Sequence, residues 1–180
     1  MSLLSYNELC ELVERGVITN VDMNDVNGTS IDIHLGPHIM VERAWKGFTV
    51  SLRDKEQLKM DTLDITGGCY DLIPNQFILA HTVEKFYMPP DLSAEFKLNS
   101  SGARIGLENA LATWCDPWWN DSTLTLELKN LTQFHTIRLH EGVRIGQMIF
   151  HRSASVPKDR GYAVRGRYNN NASVQGVINK

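Results

Sequence analysis

The chain has 180 residues, 42% of them hydrophobic, which suits one domain with a sizeable core. Eighteen basic residues stand against 21 acidic ones, so there is no electrostatic case for a nucleic-acid polymer as partner, although a mononucleotide needs only a local basic cluster. No apolar run approaches the roughly 20 residues that span a bilayer, nothing at the N-terminus resembles a signal peptide, and three widely spaced cysteines, Cys10, Cys69 and Cys115, suit a reduced cytoplasmic protein.

Ser5-Tyr6-Asn7-Glu8 reads as a capping box, and Leu9, Leu12 and Val13 follow at helical spacing until Gly16, which predicts a short N-terminal helix. Beyond it the chain is a series of short alternating or apolar runs. These are Ser30 to Leu35, Ile39 to Arg43, Phe48 to Leu52, Gln76 to Thr82, Ala94 to Leu98, Leu124 to Lys129, His135 to Leu139 and Arg144 to His151. Clusters of Gly, Pro and Asn separate them, and the charged segment from Arg53 to Asp64 reads as a surface excursion. The pattern predicts a mainly β barrel or jelly-roll-like fold with few helices, one domain over residues 1–180. The stretch 159–180, rich in Gly, Asn and Arg and poor in apolar residues, reads as a mobile tail that orders on a ligand.

The densest chemistry lies between Asn99 and Asn130. Ser100-Ser101-Gly102-Ala103-Arg104 reads as a turn of helix with Ser100 and Arg104 on one face. Its hydroxyls, guanidinium and free backbone N–H groups suit an anion, and the alternative is a surface helix capped by Ser100 with Arg104 solvated. From Thr123 to Lys129 period-two alternation puts three leucines on one face and Thr123, Thr125, Glu127 and Lys129 on the other. Glu127 is then either plainly exposed or, if a ligand or second subunit covers that face, a proton-trading carboxylate with a raised pKa. The sequence contains neither H-x-E nor C-x-x-C, so it lacks the ligand set of a zinc-dependent deaminase, and its six histidines read as structural.

S-S-x-A-R-x-G-L from Ser100, Asp116-Pro117, and Leu126-Glu127-Leu128 before Asn130 together resemble the core signature of the dCTP deaminases, a branch of the dUTPase superfamily. Three further blocks agree in order: Asn27-Gly28 through Asp32 to Leu35-Gly36, Ile145-Gly146-Gln147 with Phe150, and Arg167-Tyr168 through Asn171. The resemblance implies a dUTPase-like β-barrel and metal-independent hydrolysis of dCTP to dUTP and ammonia. The implied alternatives are a dUTP pyrophosphatase, a bifunctional enzyme carrying dCTP to dUMP, and a non-catalytic nucleotide-binding relative.

Carried over by position, the resemblance makes Glu127 the general base and acid that activates water against C4 of cytosine, with Ser100 helping to hold that water. It assigns Ser101 and Arg104 to phosphates, Ala112 to the pyrimidine edge and Asp116 to the deoxyribose 3′-hydroxyl. Arg167, Tyr168 and Asn171 would close on the triphosphate. It also implies a homotrimer with sites between subunits, no metal bound by side chains, and Mg²⁺ entering only with the triphosphate. The chain departs from the pattern at Asn99, where the family usually has Arg, at Arg167 and Asn171 for the usual Lys and Gln, and at Trp114, Trp118 and Trp119 around the aspartate.

Overall fold

A computed structural model describes residues 2–44, 49–110 and 112–178. Its first half holds β1 (Ser2–Leu3), α1 (Tyr6–Glu14), β2 (Ile18–Thr19), β3 (Ile31–His34), β4 (His38–Glu42), β5 (Met60–Asp64), β6 (Cys69–Leu72) and β7 (Phe77–Phe86). The second half holds β8 (Leu92–Leu98), α2 (Ser100–Arg104), β9 (Leu107–Asn109), β10 (Trp114–Cys115), β11 (Ser122–Asn130), β12 (Ile137–His140), β13 (Arg144–Arg152) and α3 (Tyr162–Arg165). All the pairings are antiparallel. One sheet runs β1-β13-β8-β10 with β3 also on β13, the other runs β5-β4-β7-β11-β9 with β2 on β7, and β6 pairs with β12. This is the mainly β architecture that the alternating runs predict.

The apolar faces of the two large sheets form the core, in which Ile33, Ile78, Leu126, Leu128, Met148 and Phe150 are fully buried. Period two decides which side chains go there: Leu124, Leu126 and Leu128 face inward along β11, leaving Thr125 and Glu127 on the opposite face. In β13 a side chain at Gly146 would bring its Cβ within 2.2 Å of the Phe96 ring and 2.5 Å of the Lys97 carbonyl, so the sheet closes there only around glycine. At the N-terminus the Ser5 backbone N–H donates to Glu8 Oε2 at 3.0 Å, and α1 buries Leu9 and Leu12. Gly16, at φ +69°, ends that helix as expected.

Of the strand expected at Phe48 to Leu52, Phe48 lies outside the described residues and the rest forms no strand; Leu52 is 84% exposed in a turn. The charged excursion is a correction of the opposite kind. Its last five residues form β5, in register with β4 from His38↔Asp64 to Glu42↔Met60. An edge strand has an open outer side and tolerates Asp61 and Asp64, so its charge hides the strand pattern. Among the described residues no helix is long and apolar enough to cross a membrane.

Candidate active site

β11 and β7 pair with a register shift between Thr123↔Lys85 and Thr125↔His81. Thr82 fills the irregularity: its hydroxyl accepts the Leu124 N–H at 3.0 Å and donates to the Glu84 carbonyl at 2.8 Å. The shift sets the rotation of the strand just before Thr125 and Glu127. On their face opens a cavity of about 390 Å³, lined by Ala112, Asp116, Glu127, Tyr168 and Asn171 among others.

Glu127 sits opposite Leu79 in the ladder, and Phe77 lies one step along the same face, so the floor beside the carboxylate is apolar. Its Oε2 is buried with no hydrogen-bond partner among the described residues. Burial pushes the Glu127 carboxyl up to about 7. A carboxylate held near neutrality can take a proton from water and return it. Of the two readings of this position, the exposed surface glutamate is therefore set aside.

Ala112 approaches the same cavity because the Ala110 N–H donates to the Glu127 carbonyl at 2.9 Å, holding the incoming chain against β11. Asp116 is exposed at the turn after β10; its backbone carbonyl accepts the Trp119 N–H at 3.2 Å, and its Oδ1 accepts the Trp114 indole N–H at 3.0 Å. Trp119 is buried, stacks on Phe86 and donates its indole N–H to the Tyr168 carbonyl at 2.5 Å.

That bond begins a seam along which the C-terminal stretch lies on the body. The Thr123 N–H donates to the Asn171 carbonyl at 2.8 Å, and the Gln175 N–H to the Thr125 hydroxyl at 3.3 Å. Tyr168 and Asn171 thereby line the cavity, whereas Arg167, half-buried, donates to the Ile178 carbonyl at 3.4 Å and is not a lining residue.

Ser100, Ser101 and Arg104 stand apart from this cavity in the protomer. They are exposed on α2, and Arg104 borders a separate depression with Thr132, His135 and Arg138. The cap of α2 is Asn99 rather than Ser100: Asn99 Oδ1 accepts the Gly102 N–H at 2.6 Å, and its Nδ2 donates to the Arg144 carbonyl at 2.6 Å. The residue that departs from the family pattern thus ties α2 to β13, and both serine hydroxyls are left for other partners.

Several lining residues escape sequence reasoning. Phe77 and Leu79 belong to a strand that was legible, but nothing in one sequence pairs them with Glu127. Met60 comes from the misread excursion. Cys115 is a buried cavity residue whose thiol burial pushes up, and Tyr162, from the tail, is another wall residue with a phenol raised by burial. Among the histidines, His81 is buried and pushed down to about 4, donating from Nδ1 to the Thr82 carbonyl and accepting the His38 N–H at Nε2. His34 bonds the fully buried Glu84 at 2.8 Å.

The site is thus a near-neutral carboxylate in a mainly apolar cavity of an antiparallel β fold. The chain belongs to the dCTP deaminase-like family, whose model matches residues 3–153. Its relatives include the dUMP-forming dCTP deaminase of Aquifex aeolicus, 32% identical over 168 residues, covering 92% of this chain and 88% of that one. The protein of the same name from Methanospirillum hungatei is 31% identical over 150 residues, covering 80% and 78%. A crystal structure of the 2′-deoxycytidine 5′-triphosphate deaminase from Agrobacterium tumefaciens shares the fold, with a TM-score of 0.67 at 21% identity over 83% of this chain. The match covers 47% of that solved protein, about half its length. The relatives' names correct the expected product. They are dUMP-forming, so the reading that ends at dUTP gives way to the one that carries dCTP to dUMP.

Proposed function

We propose that this protein hydrolyses dCTP to dUMP, ammonia and pyrophosphate. The observation that carries the reading is Glu127, a cavity carboxylate with an unpartnered buried oxygen and a pKa lifted to about 7, in a chain whose relatives are named for dUMP formation. Glu127 removes a proton from water as its oxygen bonds to C4 and delivers it to N3; it then carries the proton of the new C4 hydroxyl to the amino group, which leaves as ammonia with the C4–N bond pair as the C4 carbonyl forms. A second water then attacks the α-phosphorus, the bond to the bridging oxygen breaks, and pyrophosphate departs. Asp116 contacts the sugar 3′-hydroxyl and accepts the proton of that second water.

Ala112 reads the pyrimidine edge through its backbone, and Arg167, Tyr168 and Asn171 close on the triphosphate, which enters as its Mg²⁺ complex. Ser100, Ser101 and Arg104 complete the site from a second copy of the chain in a homotrimer. Support comes from their separation from the cavity within one protomer and from the exposed Ile105 and Leu131, which border the same depression as Arg104. The free Cys10, Cys69 and Cys115 support a cytoplasmic setting.

The test is a chelator-treated sample returned to Mg²⁺ alone and given dCTP, with ammonia, pyrophosphate and nucleotides quantified separately. Ammonia and dUMP in equal amounts are expected. Accumulating dUTP, or no release of ammonia, overturns the proposal.

A further inference from the structure

Trp114 is a departure from the family pattern that the reaction above leaves unused. The residue is 50% exposed, yet it lines the cavity with Glu127 and Asp116. Two residues apart on extended backbone, Trp114 and Asp116 share a side, and the indole N–H reaches Asp116 Oδ1 at 3.0 Å. The ring is held in turn: it stacks on His151 with centroids 6.0 Å apart and planes at 24°. His151 Nε2 lies 3.3 Å from Glu95 Oε1, and Lys97 Nζ lies 2.8 Å from Glu95 Oε2. Among the described residues this indole gives Asp116 its one side-chain hydrogen bond. It fixes Oδ1 and leaves Oδ2 for a ligand. An otherwise exposed aspartate has free rotamers, and fixing one oxygen orients the other.

We propose that Trp114 is a positioning residue for the phosphohydrolytic half of the reaction, acting through Asp116; this rests on the dUMP-forming reading. In that half a water oxygen bonds to the α-phosphorus, the bond to the bridging oxygen breaks with its electron pair going to pyrophosphate, and the water proton passes to Asp116. Attack at C4 uses Glu127 instead. Loss of the indole donor therefore slows pyrophosphate release more than ammonia release.

The experiment gives Mg²⁺ and dCTP to the full chain and to Trp114→Phe, which keeps a ring on His151 and removes the N–H. Ammonia and pyrophosphate are followed separately, and circular dichroism melts verify that each variant is folded. The pyrophosphate-to-ammonia ratio is expected to fall about tenfold, as for loss of one charge-assisted hydrogen bond, with dUTP accumulating. Asp116→Asn, which removes the base itself, should lower the ratio at least as far, and Trp114→Gln, which restores an N–H donor without the ring, should recover part of the loss seen in Trp114→Phe. A purely packing role predicts the reverse, with Gln worse than Phe. Trp114→Phe with an unchanged ratio, in a series where the parent chain releases both products, overturns the assignment of Trp114 alone. A parent chain that releases no pyrophosphate overturns the dUMP-forming reading and this inference with it.

Discussion

Glu127 is where a single side chain decides the chemistry, and its environment fixes the sign of two pH effects. As a base it must be ionised, so kcat/KM for ammonia release should fall about tenfold per pH unit below about 7, measured between pH 5 and 8. Stability runs the other way. The folded carboxyl holds its proton up to about 7 against an ordinary 4.5, so between those values the native state binds the proton that the unfolded chain has released. The contribution is fully present below 4.5 and is lost as pH rises through 7. Glu127→Gln should therefore melt higher than the parent at pH 8, by about 2–4 °C per kcal/mol relieved, and match it near pH 4. The same variant should lose about 10² to 10⁴ in ammonia release while still binding dCTP by calorimetry. At this scale the sequence was legible in part. Alternation of Leu124, Leu126 and Leu128 put Glu127 on the non-core face, but its desolvation comes from Leu79, Phe77 and the C-terminal stretch, contacts that no local pattern encodes.

At the scale of elements, α2 is too short to persist on its own, and Asn99 holds it. Asn99→Ala removes both the cap and the bond to the Arg144 carbonyl, and should cost about 1 kcal/mol in urea denaturation. By loosening Ser100, Ser101 and Arg104 it should also weaken nucleotide binding. Gly146→Ala tests the sheet in the same way, since the added methyl meets the Phe96 ring and the Lys97 carbonyl; a loss of about 1–3 kcal/mol is expected. Strand existence was legible in the longer runs with one apolar face, as in β11 and β13, but not in the short β6 and β9. It was not legible in β5, whose Asp61 and Asp64 are tolerated because an edge strand has one open side, nor in the two-residue β10, which is too short to show a period. Ser is so common a cap that Asn99, one position earlier, was passed over.

Across the whole molecule, the distance between α2 and the cavity means that no single protomer gathers every proposed contact. Glu127→Gln mixed with Arg104→Ala, after unfolding and refolding together, should regain activity in about a quarter of the sites, because a site then needs Glu127 from one copy and Arg104 from its neighbour. Two dead variants that stay dead when mixed would place both groups in one protomer's site. The sequence carried the order of the motifs, which is why the family was legible. Which motifs meet within one chain is a matter of topology, and one chain does not record its neighbours. The seam between the body and the C-terminal stretch has a practical side. Trp119 is buried against Phe86 with its N–H on the Tyr168 carbonyl, and Trp118 donates to the Val156 carbonyl at 2.9 Å just ahead of α3. Any lifting of residues 168–175 would wet Trp119, so the chain carries its own optical reporter: a red shift in indole emission and easier quenching by acrylamide would follow the opening of the site in real time, without a label.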